Sequence, residues 1–222
     1  MKITLAFDVY GTLMNTHGVV SLLEGFIGSK AKIFSQTWRD KQLEYSFRKA
    51  LMNQYEDFSI CTKQALDFTC LFYEIELTED QKTKLLNFYK SLPLFEDVKE
   101  GLDKLSDSNV DLYAFSNGKR ESIEALLSAA GISEYFKGIV SADTIKSFKP
   151  KPGVYEHFIS QSQADLKSTW LISSNPFDIL GAHAYGFKTA WIQRNDHTPF
   201  DPWGISPSIT LSSLSTLYEN IY

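Results

Sequence analysis

Five short apolar runs, each followed at once by polar residues, organise most of the chain: Ile3 to Phe7, Val110 to Phe115, Gly138 to Val140, Trp170 to Ile172 and Thr189 to Ile192. Between the later runs lie stretches of helical character, among them Glu121 to Ala130 and Val154 to Gln161. Buried strands alternating with amphipathic helices predict an α/β fold, a Rossmann-like parallel sheet with helices on both faces.

The first run breaks that alternation. Its strand ends at Asp8, yet the next strand-like run begins only near Val110. From Thr16 to Leu92 the pattern is helical: Ile33, Phe34, Thr37 and Trp38 form a one-sided stripe, and Ser59 to Glu74 and Thr78 to Ser91 follow. Thr78 with Gln81 has the spacing of a capping box, and Pro93 marks the return point. The expectation is a core of residues 1–15 and 93–222 carrying a helical cap of residues 16–92. Pro199, Pro202 and Pro207 predict an irregular stretch before a last short helix at Leu214 to Ile221.

Composition narrows the function classes. With 222 residues, 43% of them hydrophobic and 22% charged, the chain reads as an ordinary soluble globular protein. Its formal net charge of -5 argues against nucleic acid, because phosphate binding needs clustered Lys and Arg. No apolar run approaches the roughly 20 residues of a membrane span, and the start of the chain reads as a strand rather than a signal peptide. Cys61 and Cys70 sit in no metal-ligand spacing and read as reduced thiols, which places the protein in the cytoplasm.

Ligands of open parallel sheets bind beyond the carboxyl ends of the strands. The polar residues found there are Asp8, Tyr10 and Thr12 after the first run, and Ser116 and Asn117 after the second. Lys149 lies beyond the third, and Ser173, Ser174, Asn175 and Asp178 follow the fourth. Any one of them taken alone is ordinary loop chemistry. Four strand ends carrying this inventory together point to a site.

The segments DVYGTL (Asp8 to Leu13), SNG (Ser116 to Gly118), KPKPGVY (Lys149 to Tyr155) and SSNPFD (Ser173 to Asp178) resemble the haloacid dehalogenase superfamily over nearly the whole chain. WRDKQLEY, Trp38 to Tyr45 in the cap, is similar to the L-2-haloacid dehalogenase branch. That resemblance implies Asp8 as an aspartate nucleophile. Most of the superfamily transfers phosphoryl groups with a D-x-D motif whose second Asp protonates the leaving group, and with further carboxylates that hold Mg²⁺. Here Tyr10 stands at the second position, and the fourth motif supplies only Asp178. Such a site is a poor one for a hard octahedral cation. A 2-haloalkanoate fits better, since its halide leaves as an anion without a proton, so neither metal nor cofactor is expected.

The resemblance then implies roles. Asp8 attacks the halogen-bearing carbon and Lys149, with Lys151 as the competing candidate, keeps it ionised. Arg39 receives the halide with Asn117 assisting, although an Arg on a helix surface ordinarily pairs with a carboxylate. Ser116, Tyr10, Gly11 and Thr12 supply donors for the substrate carboxylate, Thr12 having a turn-capping role as its alternative. Asp178 activates water against the Asp8 ester, with Ser173 and Asn175 placing that water and Tyr155 holding Lys149. Leu43, Phe58 and Phe177 form apolar walls or plain core packing. Departures from the branch are Pro176 and Phe177, where Ala and Trp are frequent, and Asp40, where Gln is frequent. A homodimer through the cap is implied in the same way. The competing functions are a phosphatase of small phosphomonoesters, a hydrolase opening a non-halogenated substrate through the same ester, and a non-catalytic relative.

Overall fold

In the computed structural model, residues 2–106 and 108–221 are described. The chain runs β1 (Ile3–Phe7), α1 (Val19–Ile27), α2 (Ala31–Leu51), α3 (Phe58–Tyr73), α4 (Glu79–Phe88), α5 (Val98–Ser106) and β2 (Val110–Ser116). It continues α6 (Arg120–Ala129), β3 (Gly138–Ser141), α7 (Pro152–Ser162), β4 (Thr169–Ser173), α8 (Pro176–Tyr185), β5 (Lys188–Ile192), β6 (Ile209–Leu211) and α9 (Leu217–Ile221). The strands form one sheet of order β3-β2-β1-β4-β5-β6 with every pair parallel.

Strand β1 is central, and its alternation divides the interior. Leu5 and Phe7 join a cluster with Val98 and Leu102 of α5, Ile123 and Leu126 of α6 and Leu217 of α9. Ala6, on the other face, meets Val154, Tyr155 and Phe158 of α7 and Ile179 and Ala182 of α8. Strand order reverses between β1 and β4, so the loops beyond Phe7 and Ser173 part and leave a crevice above the sheet.

Helices α1 to α4 are inserted between β1 and α5. The outgoing and returning chains run side by side where the insert begins: Asn15 N donates to Pro93 O at 2.7 Å and Phe95 N to Leu13 O at 3.1 Å. Within the insert, α2 and α3 pack as a pair. Trp38 donates its indole N–H to Thr62 O at 2.9 Å, and the Phe34 and Tyr73 rings lie 6.0 Å apart. Both halves of the Thr78–Gln81 capping box form at the start of α4. No helix among the described residues is long and apolar enough to cross a membrane.

Two elements depart from the sequence pattern. Ile209–Leu211, inside the stretch expected to be irregular, forms the sixth strand at the sheet edge. Three residues are too few to show a period, and its position is set by reciprocal bonds between Thr189 and Ser208, at 3.1 and 3.0 Å. The terminal helix begins as a 3-10 turn at Leu214–Thr216 before α9.

Candidate active site

Asp8 sits where β1 ends. Its backbone N–H still bonds Ile172 O of β4 at 2.9 Å, so the carboxylate leaves from a fixed point. The chain then turns tightly, with the N–H groups of Leu13 and Met14 both reaching Val9 O at 3.0 and 2.9 Å. Gly11 makes that turn at φ 89°, a backbone region that a side chain would strain. The turn brings Thr12 back under the carboxylate, where its hydroxyl donates to Asp8 Oδ2 at 2.8 Å. Ser174 N donates to the same hydroxyl oxygen at 2.9 Å, which fixes the direction in which Thr12 gives its proton.

Donors surround the rest of Asp8. Asn175 Nδ2 reaches Oδ2 at 2.7 Å, Ser173 Oγ at 3.4 Å, and Lys149 Nζ approaches Oδ1 at 3.3 Å. The sequence reading sets Ser173 and Asn175 around a water; here both bond Asp8 itself. Lys149 is 1% exposed and also donates to Asp178 Oδ2 at 2.8 Å and Phe115 O at 2.8 Å, with the Phe115 ring 4.0 Å beneath it. Lys151 is exposed, so the ammonium at the site is Lys149.

Tyr155 corrects an expectation. Its hydroxyl donates to Asp178 Oδ1 at 2.9 Å and makes no bond to Lys149. Gly181 of α8 permits that approach, since a Cβ there would collide with the Tyr155 hydroxyl and with Pro150. Burial raises the Asp178 carboxyl to about 6, against the pull of Lys149, and the nearby Asp8 charge adds to the rise. One buried ammonium therefore serves two carboxylates.

Asn117 Oδ1 accepts the Lys149 backbone N–H at 2.8 Å, leaving its Nδ2 with no protein partner among the described residues. Ser116 is fully buried, and its oxygen accepts Gly118 N at 3.2 Å, which leaves the hydroxyl proton for another acceptor. The first of these bonds ties the end of β2 to the Lys149 loop just beside Asp8.

From the insert, Arg39 of α2 extends Nη2 to Tyr10 O at 3.4 Å and Nη1 to Gln42 Oε1 at 3.3 Å. Asn175 Nδ2 donates to that same Tyr10 carbonyl at 3.1 Å, so the guanidinium stands one shared acceptor away from the Asp8 cluster. Aromatic contacts close the sides: Tyr10 against Phe58 at 6.0 Å, Phe58 against Phe148 at 6.2 Å, and Phe177 edge-on to Phe47 of α2 at 5.0 Å. Leu43, one turn beyond Arg39, is half-buried on the same helix. Burial pushes the Tyr10 phenol up to about 12. A groove of about 560 Å³ borders this wall through Tyr10, Phe58, Tyr89 and Gly118. Asp8, Lys149 and Asp178 do not line it.

Sequence reasoning missed one supporting pair. Arg194, after β5, donates to Thr12 O at 2.7 Å and grips both oxygens of Asp97 at 2.7 and 2.6 Å. Asp97 also accepts Leu214 N at 2.6 Å. The pair thus links the turn after β1, the start of α5 and the C-terminal segment. His17, His157, His183 and His197 contribute nothing to the cluster. Among the described residues no three His, Cys, Asp or Glu side chains gather in a metal-holding group: Asp8 and Asp178 are bridged by an ammonium instead.

Comparison with known proteins places this geometry. The profile of the haloacid dehalogenase-like hydrolases matches residues 5–192. The chain belongs to that family. It is 34% identical over 213 residues to (S)-2-haloacid dehalogenase 2 of Pseudomonas sp. (strain CBS-3), covering 96% of this chain and 93% of the relative. Haloacetate dehalogenase H-2 of Moraxella sp. (strain B) is 34% identical over 217 residues, covering 98% and 96%. Among solved structures, L-2-haloacid dehalogenase from Xanthobacter autotrophicus with chloropropionic acid covalently bound superposes with a TM-score of 0.92 at 26% identity, covering 100% of this chain and 98% of that one.

Proposed function

We propose that this hydrolase is an (S)-2-haloacid dehalogenase that converts L-2-haloacids to D-2-hydroxyacids without a metal or cofactor. The observation that carries the reading is the residue two past the nucleophile. Tyr10 stands where the phosphatase pattern has its second Asp, so the carboxylic acid that protonates a departing alkoxide there is missing, and burial raises the phenol that replaces it. Halide leaves without a proton, so a site lacking that acid remains competent for displacement at carbon.

In the first step an Asp8 oxygen attacks the halogen-bearing carbon from the side opposite the halogen. The C–O bond forms as the C–halogen bond breaks, the configuration inverts, and halide departs toward Arg39 and Asn117. Thr12, Ser173, Asn175 and Lys149 hold the carboxylate in one orientation, so little reorganisation is left for the transition state. Ser116 and the Tyr10 amide receive the substrate carboxylate, because the Gly11 and Thr12 amides already donate to Met14 O and Val9 O. In the second step Asp178, ionised above about pH 6, takes a proton from water as that water attacks the Asp8 ester carbonyl. The acyl C–O bond then breaks, the departing alkoxide takes the proton back from Asp178, and hydroxyacid and free Asp8 result. Phe58, Phe177 and Leu43 exclude water from the alkyl chain.

We divide the chain accordingly into a catalytic core of residues 1–15 and 93–222 and a cap of residues 16–92. The cap also carries exposed apolar side chains, Ile33 on α2 and Leu71 and Phe72 on α3, at 56%, 80% and 62% exposure. They support a homodimer through the cap. Cys61 and Cys70, both free and buried, suit a reducing cytoplasm.

The test is halide release from the L- and D-enantiomers of 2-chloropropionate, with and without EDTA. Release from the L-enantiomer alone, unchanged by chelator, is expected. Magnesium-dependent phosphate release from phosphomonoesters with no halide release would overturn the assignment.

A further inference from the structure

Arg39 is held in an unusual way for a half-buried guanidinium. Its two protein bonds go to neutral oxygens, Gln42 Oε1 at 3.3 Å and Tyr10 O at 3.4 Å, and no ion-pair partner of it occurs among the described residues. The neighbouring carboxylate, Asp40, is exposed and engaged by Gln36 Nε2 at 2.8 Å. Gln42 itself is 0% exposed, and its Nε2 has no hydrogen-bond partner. Such an orphaned donor costs free energy that an apolar side chain of the same length would avoid. Trp38 and Tyr89, whose rings lie 5.0 Å apart, wall this part of the cap; the Tyr89 phenol lies close enough to the Gln42 amide to be held down by it, without meeting the geometry of a full hydrogen bond.

We propose that Gln42 is a positioning residue for Arg39. Its amide oxygen anchors the guanidinium without neutralising it, so the full positive charge stays available to an anion arriving in the site. The inference rests on the dehalogenase reading for the identity of that anion, a halide. A glutamate at this position has the same shape and would hold Arg39 more tightly, but as an ion pair that competes with the halide. A methionine would fill the volume and release the guanidinium. Glutamine is the side chain of this length that anchors Arg39 and leaves its charge free.

Bromide protection of Arg39 against phenylglyoxal, read on the Arg39 peptide by mass spectrometry, tests this without requiring turnover. Wild type, Gln42→Glu and Gln42→Met are compared, with thermal melts to establish that each is folded. In Gln42→Glu the bromide concentration for half-protection is expected to rise by about tenfold or more, the equivalent of one charge-assisted bond. Gln42→Met, the second variant, is expected to rise as well while its melt stays sharp. A merely structural Gln42 would move the melting temperature and leave bromide protection alone. Folded variants that both keep the wild-type value overturn the inference, as does a wild-type Arg39 modified equally with and without bromide. The dehalogenase reading is judged separately by halide release from wild type: release with unmoved variants removes only the role of Gln42.

Discussion

Replacing Lys149 by Met removes the cation that two carboxylates share. Nζ lies 3.3 Å from Asp8 Oδ1 and 2.8 Å from Asp178 Oδ2, so those oxygens are at most about 6 Å apart. At that separation and an effective dielectric near 20, the unscreened repulsion is about 3 kcal/mol, or about two pKa units. Asp178 is already raised by burial, and without Lys149 it rises further and stays protonated at neutral pH. A carboxyl whose folded value exceeds its unfolded value contributes stability below the unfolded value and loses it as pH rises through the folded one. Lys149→Met is therefore expected to be least stable in alkali and to recover toward acid. Urea denaturation of wild type and variant at pH 5 and pH 8 measures this. The variant's deficit should be about 3 kcal/mol larger at pH 8 than at pH 5, and its turnover should be lost. A deficit equal at the two pH values would refute the shared-cation reasoning.

Tyr155→Phe removes a bond that holds the Asp178 carboxyl down, so the acid limb of the kcat profile should move to higher pH; an unmoved limb would separate Asp178 from the rate-determining proton. Thr12→Val removes the 2.8 Å donor to Asp8 and the acceptor of Ser174 N. It is expected to cost about 1–3 kcal/mol of stability and to lower kcat more than it raises KM, both read by standard kinetics and urea melts. In Asp97, burial raises the carboxyl and the bonds to Arg194 and Leu214 N more than offset it, leaving it below the usual range. Asp97→Asn should therefore destabilise the protein above pH 4 by about 1.5–3 kcal/mol, with the difference from wild type shrinking as pH falls through the depressed value.

The sequence pattern made the sheet legible because five of its strands are apolar and buried, and buried parallel strands read as continuous runs. The helical insert was legible for a different reason, since one-sided stripes such as Phe34 and Trp38 mark a buried helix face. Asp8, Lys149 and Asp178 were readable as strand-end chemistry before any contact was known. What escaped has a common cause. Ile209–Leu211 takes its strand conformation from its neighbour β5 rather than from any period of its own. The tie from Arg194 to Thr12 spans 182 positions and is carried by a backbone carbonyl, which every residue has. Tyr155 could be placed near the site but not assigned to Asp178 rather than Lys149, because that choice depends on the absence of a Cβ at Gly181. Gln42 lay in plain view within WRDKQLEY, yet a buried orphaned amide is visible only in three dimensions.

Under the proposed mechanism carbon is transferred to Asp8 and then released by water attacking the carboxyl carbon. A single turnover in ¹⁸O-labelled water with enzyme in excess over L-2-chloropropionate tests it most directly, by mass spectrometry of the Asp8 peptide and of the product. One ¹⁸O in the Asp8 carboxylate and none in the 2-hydroxypropionate is expected. Label in the product with Asp8 unlabelled would mean that water attacks the substrate directly and that no Asp8 ester forms.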